Sequence, residues 1–251
     1  MFLLPQSYWE VRDVSHKGRG LYARKEIVPG TVVGDYLGEI IYAHETDENV
    51  GEFYDLNITP KLSILANPKE MGIHLINHSC AANCAMFPYK GHTLFFALRR
   101  IFIGEELTIF YFLGAPTPEE EICLDVCHCG SPVCRGTMHN PQEYNDRYEA
   151  FEKQRSSKYL RQFDSMVGQL LPPLDTYPKI IEDYPLFDLF GSLEKQPLEN
   201  EATRVPDISR IRELIRESGQ QVRFPNLGID IYGVMNGLLI SRFIDKDKIT
   251  R

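Results

Sequence analysis

The chain has 251 residues, 43% hydrophobic and 25% charged, which excludes collagen-like, low-complexity and wholly disordered classes and leaves room for one large domain or two modest ones. With 27 Lys plus Arg against 35 Asp plus Glu the net charge is −8, which argues against non-specific binding to DNA phosphates and suits a basic partner, and no direct sequence-specific nucleic-acid binding is expected. No run reaches the roughly 18 to 20 uninterrupted apolar residues that a membrane span needs, so no membrane partner is expected.

Met1 to Pro5 lacks the charged and apolar regions of a signal peptide, and an intracellular protein is expected, with nucleus and cytoplasm both open. From Tyr8 to Tyr111 short apolar runs alternate with turn residues: Trp9-Glu10-Val11, Gly20 to Ala23, Thr31 to Val33, Glu39 to Tyr42, Thr93 to Ala97 and Leu107 to Ile109. Pro29-Gly30, Lys90-Gly91 and Ile103-Gly104 separate them, a pattern that predicts short strands joined by tight turns. After residue 140 the period changes. Tyr144, Tyr148, Phe151, Tyr159, Phe163, Val167 and Leu170 fall near multiples of 3.6, which predicts a long amphipathic helix ended by Pro172-Pro173. Residues 172–206, rich in Pro, acidic residues and isolated aromatics, are expected to wrap the protein. Asp207 can cap a second helix ending at Gly219, and a third is expected from about Ile229 to Phe243.

Six cysteines lie in the middle of the chain, and four of them, Cys123, Cys127, Cys129 and Cys134, crowd into twelve residues. Cys127-His128-Cys129-Gly130-Ser131-Pro132-Val133-Cys134 sets three thiols on one loop bent by Gly and Pro, which fits three corners of a tetrahedral zinc site. Cys80, Cys84, Cys123 and His128 are the candidates for the fourth corner, with His128 expected to be a solvated residue between two ligands. Three further motifs stand out: Lys17-Gly18-Arg19-Gly20, Asn77-His78-Ser79-Cys80 followed by Asn83-Cys84, and Gly104-Glu105-Glu106-Leu107 leading to Tyr111. No Gly-x-Ser-x-Gly nucleophile elbow accompanies them, which argues against a serine hydrolase. Glu105 and Glu106 are adjacent on an expected strand, so they point to opposite faces and cannot act as a pair on one substrate.

In this order, and with Tyr36-Leu37-Gly38-Glu39 and Cys134-Arg135-Gly136, these motifs resemble the SET-domain protein lysine methyltransferases that carry a post-SET zinc loop. The resemblance runs over roughly residues 8–138. It implies an α+β protein with a SET-type β-clip fold of several small sheets and a threaded knot, followed by a mainly helical C-terminal extension. The expected domains are a SET catalytic domain (1–114), a post-SET zinc loop (115–140) and the extension (141–251). The implied activity is transfer of a methyl group from S-adenosylmethionine to a lysine of a protein or peptide, with a histone tail as first choice. A non-histone substrate, or a silent module that binds a partner through the extension, are the other readings.

Carried over residue by residue, Lys17, Gly18, Arg19, Gly20, Tyr36, Asn77, His78 and Tyr111 would hold the cofactor, and Tyr111 and Tyr54 would be the catalytic pair. Met86 and Ile109 would line the substrate channel, and Cys80 would complete the zinc site with Cys127, Cys129 and Cys134. The chain departs from the family pattern at Ala82, where a proline is usual, and at Ile109 and Phe110, where an aromatic and an acidic residue are usual. The smaller Ile109 would leave room for an already methylated amine, favouring di- or trimethylation.

Overall fold

The computed structural model describes residues 1–43, 54–59, 61–80, 82–111, 113, 126–131, 134–139 and 163–181. Ten short strands make three small sheets: β1 (Trp9–Val14), β2 (Gly18–Ala23), β3 (Val32–Asp35), β4 (Glu39–Tyr42), β5 (Asp55–Thr59), β6 (Leu62–Leu65), β7 (Asn77–His78), β8 (Cys84–Tyr89), β9 (His92–Ala97) and β10 (Glu106–Ile109). The sheet orders are β1-β2-β10-β7, β3-β9-β8 and β4-β6-β5. The six predicted apolar runs coincide with β1, β2, β3, β4, β9 and β10. Their turns use the glycines as expected: Lys90 and Gly91, at φ 48° and 85°, form the two-residue hairpin between β8 and β9, whose tight twist needs both residues at positive φ.

The core forms where the sheets meet. β9 is the middle strand of its sheet, and Leu94, Phe95, Phe96 and Ala97 are all fully buried in it. Burial of the two phenylalanines stabilises the fold by about 1.5–3 kcal/mol each. β10 lies between β2, its antiparallel neighbour (Leu107 opposite Leu21), and β7, its parallel neighbour (Thr108 opposite Asn77, Ile109 opposite His78). This placement brings three separated motifs, at 17–20, 77–80 and 106–111, onto one sheet.

Residues 163–181 return to this core. Phe163 and Leu171 are buried in it, and Ile181 is buried as well. The backbone there covers two sheet edges: Ile40 N donates to Gln169 O (3.0 Å) and Gly168 N to Ile40 O (2.8 Å) along β4, and Val32 N donates to Lys179 O (2.9 Å) beside β3. Edge strands otherwise present unpaired donors and acceptors, so this pairing satisfies both. Tyr177 adds a side-chain tie, its hydroxyl donating to the buried Asp35 Oδ2 at 2.8 Å, where the His92 ring also lies 2.8 Å away.

The wrapping role expected for the stretch after Pro172 holds over 172–181. The helix expected to run to Leu170 does not. Among the described residues of that stretch only Phe163 and Asp164 are helical, turns follow, and Gly168 takes φ 77°. Pairing with the β4 edge replaces the helical hydrogen bonds, and it leaves Leu170 74% exposed while Leu171 turns inward. The rest of that helix, the remainder of the wrapping segment and the helices expected at 207–219 and 229–243 lie outside the described residues. Among the described residues no helix is long and apolar enough to cross a membrane.

Candidate functional site

Asn77, at the start of β7, faces β2 and β10. Its Nδ2 donates to Arg19 O (3.1 Å) and to Glu106 Oε1 (2.8 Å), and the other Glu106 oxygen accepts from Lys17 Nζ at 2.6 Å. Gly20 makes the room: a Cβ there would stand 2.7 Å from Glu106 Oε1 and 2.9 Å from Asn77 Nδ2. Gly18 differs, since φ is 70° and the space a Cβ would occupy is open to at least 4 Å. The first glycine turns the hairpin and leaves a clear approach to the backbone, while the second admits a polar cluster. The Arg19 side chain reaches elsewhere, donating to Pro68 O (2.9 Å) and lying 3.5 Å from the Tyr54 hydroxyl.

Tyr111 follows β10 directly. Its hydroxyl donates to Ile76 O at 2.7 Å, and its backbone N–H donates to His78 Nδ1 at 2.9 Å. Burial pushes the phenol pKa well above its ordinary value, with Tyr54 and Glu106 adding to the rise. At neutral pH the hydroxyl therefore keeps its proton and spends it on Ile76 O, leaving its oxygen lone pairs as acceptors. Tyr36 is buried, stacked on Phe95 at 6.1 Å, and its phenol is pushed up by burial first and then by Asp55, Tyr111 and Tyr54. The three tyrosines are thus electrostatic neighbours. The Tyr54 ring meets the edge of His74 at 4.9 Å. Ile109 is buried opposite His78 in the β10–β7 pair, and Met86 is half-buried on β8 across from Phe95, in a different sheet.

His78 joins this region to the cysteines. Because a backbone N–H can only donate, Nδ1 is the acceptor and the ring proton sits on Nε2, which lies 3.4 Å from Cys80 Sγ. Burial lowers the His78 pKa to about 4, so the ring is neutral at physiological pH.

The sulfurs of Cys80, Cys127, Cys129 and Cys134 all lie within 4.8 Å of one another. Four thiolates at about 2.3 Å from one zinc ion stand about 3.8 Å apart in a regular tetrahedron, and Cys80 and Cys127 are 3.8 Å apart. The donor set therefore fits zinc. The loop gains its shape from Gly130 and Gly136, both at positive φ, and from Cys127 N donating to Gly136 O and Cys134 N to Ser131 O. Hydrogen bonds from Cys80 and Cys127 stabilise a thiolate at Cys129 and lower its pKa, and the same bond to Cys129 raises that of Cys80. The loop docks against β10, with the Arg135 guanidinium 4.9 Å over the Phe110 ring and Leu113 bridged to His139. Of the other candidate ligands, Cys84 is sealed in the core, His128 lies beside the His16 ring at 5.3 Å, and Cys123 is outside the described residues.

Glu105 and Glu106 do point to opposite sides. Glu105 pairs with the buried Arg99 and accepts from Asn83 Nδ2 (3.0 Å) and Phe102 N (3.0 Å), which fixes the turn before β10. The Asn83 side chain also pairs with the β10 backbone, donating to Glu106 O (2.7 Å) and accepting from Thr108 N (2.8 Å). The motif spacing alone did not expose the roles of Arg99, Asn83 and Glu106. The sequence signals were membership of the Asn83-Cys84 and Gly104-Glu105-Glu106-Leu107 motifs and the strand alternation that separates the two glutamates.

Residues 18–112 match the family model described as the SET domain. Over these residues the chain is similar to the SET domain. Its alignment with the Drosophila virilis "Histone-lysine N-methyltransferase trithorax" is 38% identical over 131 residues, 47% of this chain and 3% of that protein. The Schizosaccharomyces pombe "Histone-lysine N-methyltransferase, H3 lysine-4 specific" is 34% identical over 132 residues, 48% of this chain and 14% of that protein. The Homo sapiens "Histone-lysine N-methyltransferase, H3 lysine-36 specific" is 30% identical over 172 residues, 59% of this chain and 6% of that protein. The chain thus spans a small part of the length of the relatives it matches. The small β-sheets around β10 agree with the family match, and the cysteine cluster is compatible with a post-SET zinc site.

Proposed function

We propose that this protein is an S-adenosylmethionine-dependent protein lysine N-methyltransferase acting on a histone tail, with a place in chromatin. One observation carries the reading: β10 lies between β2 and β7, so Gly18, Asn77, His78 and Tyr111 converge although they come from distant parts of the chain. In this reading β10 is the threaded segment of the family's knot, and the names of the three relatives support the substrate class. The acidic 1–140 half, with 11 basic and 17 acidic residues, suits a basic tail.

The residues present fit the cofactor in two respects. The space over Gly18 is clear, and Asn77 Oδ1 accepts no hydrogen bond among the described residues, which leaves it available to a ligand ammonium. When bound, S-adenosylmethionine supplies an electrophilic methyl group. The protein has to present a neutral amine to it, although free lysine, with a pKa of about 10.4, is almost wholly charged at neutral pH. Apolar walls such as Ile109 disfavour the ammonium form. The Tyr111 oxygen, its proton held on Ile76 O, accepts a hydrogen bond from the amine and orients its lone pair. Tyr54 would assist from the opposite side and Met86 would flank the channel. Cys80, Cys127, Cys129 and Cys134 would hold one zinc ion that fastens the loop beside Tyr111.

The test is incubation of the purified protein with radiolabelled S-adenosylmethionine and histones, in parallel with cell lysate, alongside Tyr111→Phe. The expected result is labelled histone with the wild type and a transfer rate lower by about 10²–10³ in the variant. Loss of the bond to Ile76 should cost only about 1 kcal/mol of stability. No labelling of any protein, with no cofactor binding by calorimetry, would overturn the enzyme reading. Labelling of lysate proteins but not histones would overturn the substrate.

A further inference from the structure

The Lys17–Glu106–Asn77 cluster has a direction. Asn77 donates both Nδ2 hydrogens, one to a backbone carbonyl and one to a carboxylate, and neither partner can donate in return. The amide therefore cannot flip without setting its oxygen against two oxygens, and Oδ1 is held facing away from β2 and β10. Glu106 is itself fixed by Lys17, and Gly20 leaves the room for the pair, whose ends a Cβ there would crowd at 2.7 and 2.9 Å.

We infer that Glu106 is a positioning residue that locks the Asn77 amide with its oxygen presented to the ammonium group of the cofactor's amino-acid part. The inference rests on the proposed methyltransferase reading and extends it to a residue that touches no ligand. It also gives the second glycine of the Gly18-Arg19-Gly20 motif a reason other than approach to the cofactor: it houses the carboxylate that orients Asn77.

Glu106→Gln keeps the shape and removes one acceptor. Lys17, a cation that can only donate, takes the single remaining oxygen. The new amide N–H₂ then faces Asn77 Nδ2 donor to donor, so Asn77 keeps only Arg19 O as an anchor and its oxygen is no longer locked toward the ligand. Calorimetry with S-adenosylhomocysteine, which carries the ammonium, and with 5′-methylthioadenosine, which lacks it, reads this directly. The expected result for Glu106→Gln is a loss of about 10- to 100-fold in affinity for S-adenosylhomocysteine, with methylthioadenosine unchanged within twofold. Adding Lys17→Met frees the glutamine oxygen for Asn77 and, read against Lys17→Met alone because Lys17 is itself expected at the cofactor, should recover part of the loss. Should Glu106→Gln fail to fold by circular dichroism, Glu106→Asp, which draws the carboxylate back from Asn77 Nδ2 while keeping its charge, should show the same selective loss.

Equal weakening of both ligands, or no rescue by Lys17→Met, would overturn the inference while leaving the methyltransferase reading standing. A wild-type protein that binds neither ligand would overturn that reading and this inference with it.

Discussion

Removing zinc from the four-cysteine site should loosen one loop and spare the core. The metal would tie Cys80, two residues past β7, to Cys127, 47 positions later, and so would close a long loop in the state where the cysteine loop opens locally and the rest of the fold stays intact. In the chain-entropy treatment of such cross-links, closing a loop of this length stabilises by about 4 kcal/mol at 25 °C, or close to three decades in a local opening constant. Hydrogen exchange by mass spectrometry, before and after treatment with a chelator, is the assay. The amides of Cys127 and Cys134, which donate within the loop to Gly136 O and Ser131 O, should exchange about 10³-fold faster without metal. Those of Ala97 and Ile101, which donate to Thr31 O and Ile27 O, should not change. Cys80→Ser should reproduce the effect without chelator. Unchanged protection at Cys127 and Cys134 would refute the staple, and equal acceleration of loop and core would show that the metal holds the whole fold.

Three further outcomes follow from packing and charge. Gly38→Ala should destabilise the protein by about 1–3 kcal/mol or more, read as a lower urea midpoint, because its Cβ would meet Leu65 O at 2.1 Å and Leu65 C at 2.5 Å in rigid backbone. Glu105→Gln should cost about 3–5 kcal/mol, since it strips the charge partner from the buried Arg99; a double variant with Arg99→Met should recover part of the loss. Acid should destabilise through His74, whose pKa burial lowers to about 4, with the Met1 amino group and Arg19 adding to the fall. Unfolded histidine titrates near 6.5, so this contribution is absent above that pH and the loss grows down to about pH 4. Urea midpoints measured from pH 7.5 to 4.5 should fall less steeply in His74→Gln.

The strands that position the site were legible where a single local signal governed them. β2, β9 and β10 each carry an apolar run and a glycine turn. β8 escaped the same reading because it contains Pro88, a residue tolerated there because β8 is the edge of its sheet. The loop cysteines announced a metal site through their spacing. Cys80 did not, because its closeness to them is a product of topology, and only the family resemblance pointed to it. Glu106 was hidden for the same reason: its partners Lys17 and Asn77 lie 89 and 29 positions away and meet it only once β10 enters between β2 and β7. The helix expected up to Leu170 failed because apolar period alone cannot register an open strand edge nearby, which offered the backbone a better partner than its own next turn.

The hydrogen bond from Tyr177 to Asp35 crosses 142 positions of sequence. A fragment cut at residue 140, though it would keep every motif from Lys17 to Cys134, would leave Asp35 buried with one donor fewer and Ile40 and Val32 with unanswered amides. It would also uncover the apolar sites now filled by Phe163, Leu171 and Ile181. Such a fragment should be recovered as aggregate, and the shortest soluble piece of this protein should extend at least to Ile181. Limited proteolysis has a matching expectation: a nick between residues 140 and 162 should leave the two pieces associated through a native elution, and they should part only in denaturant.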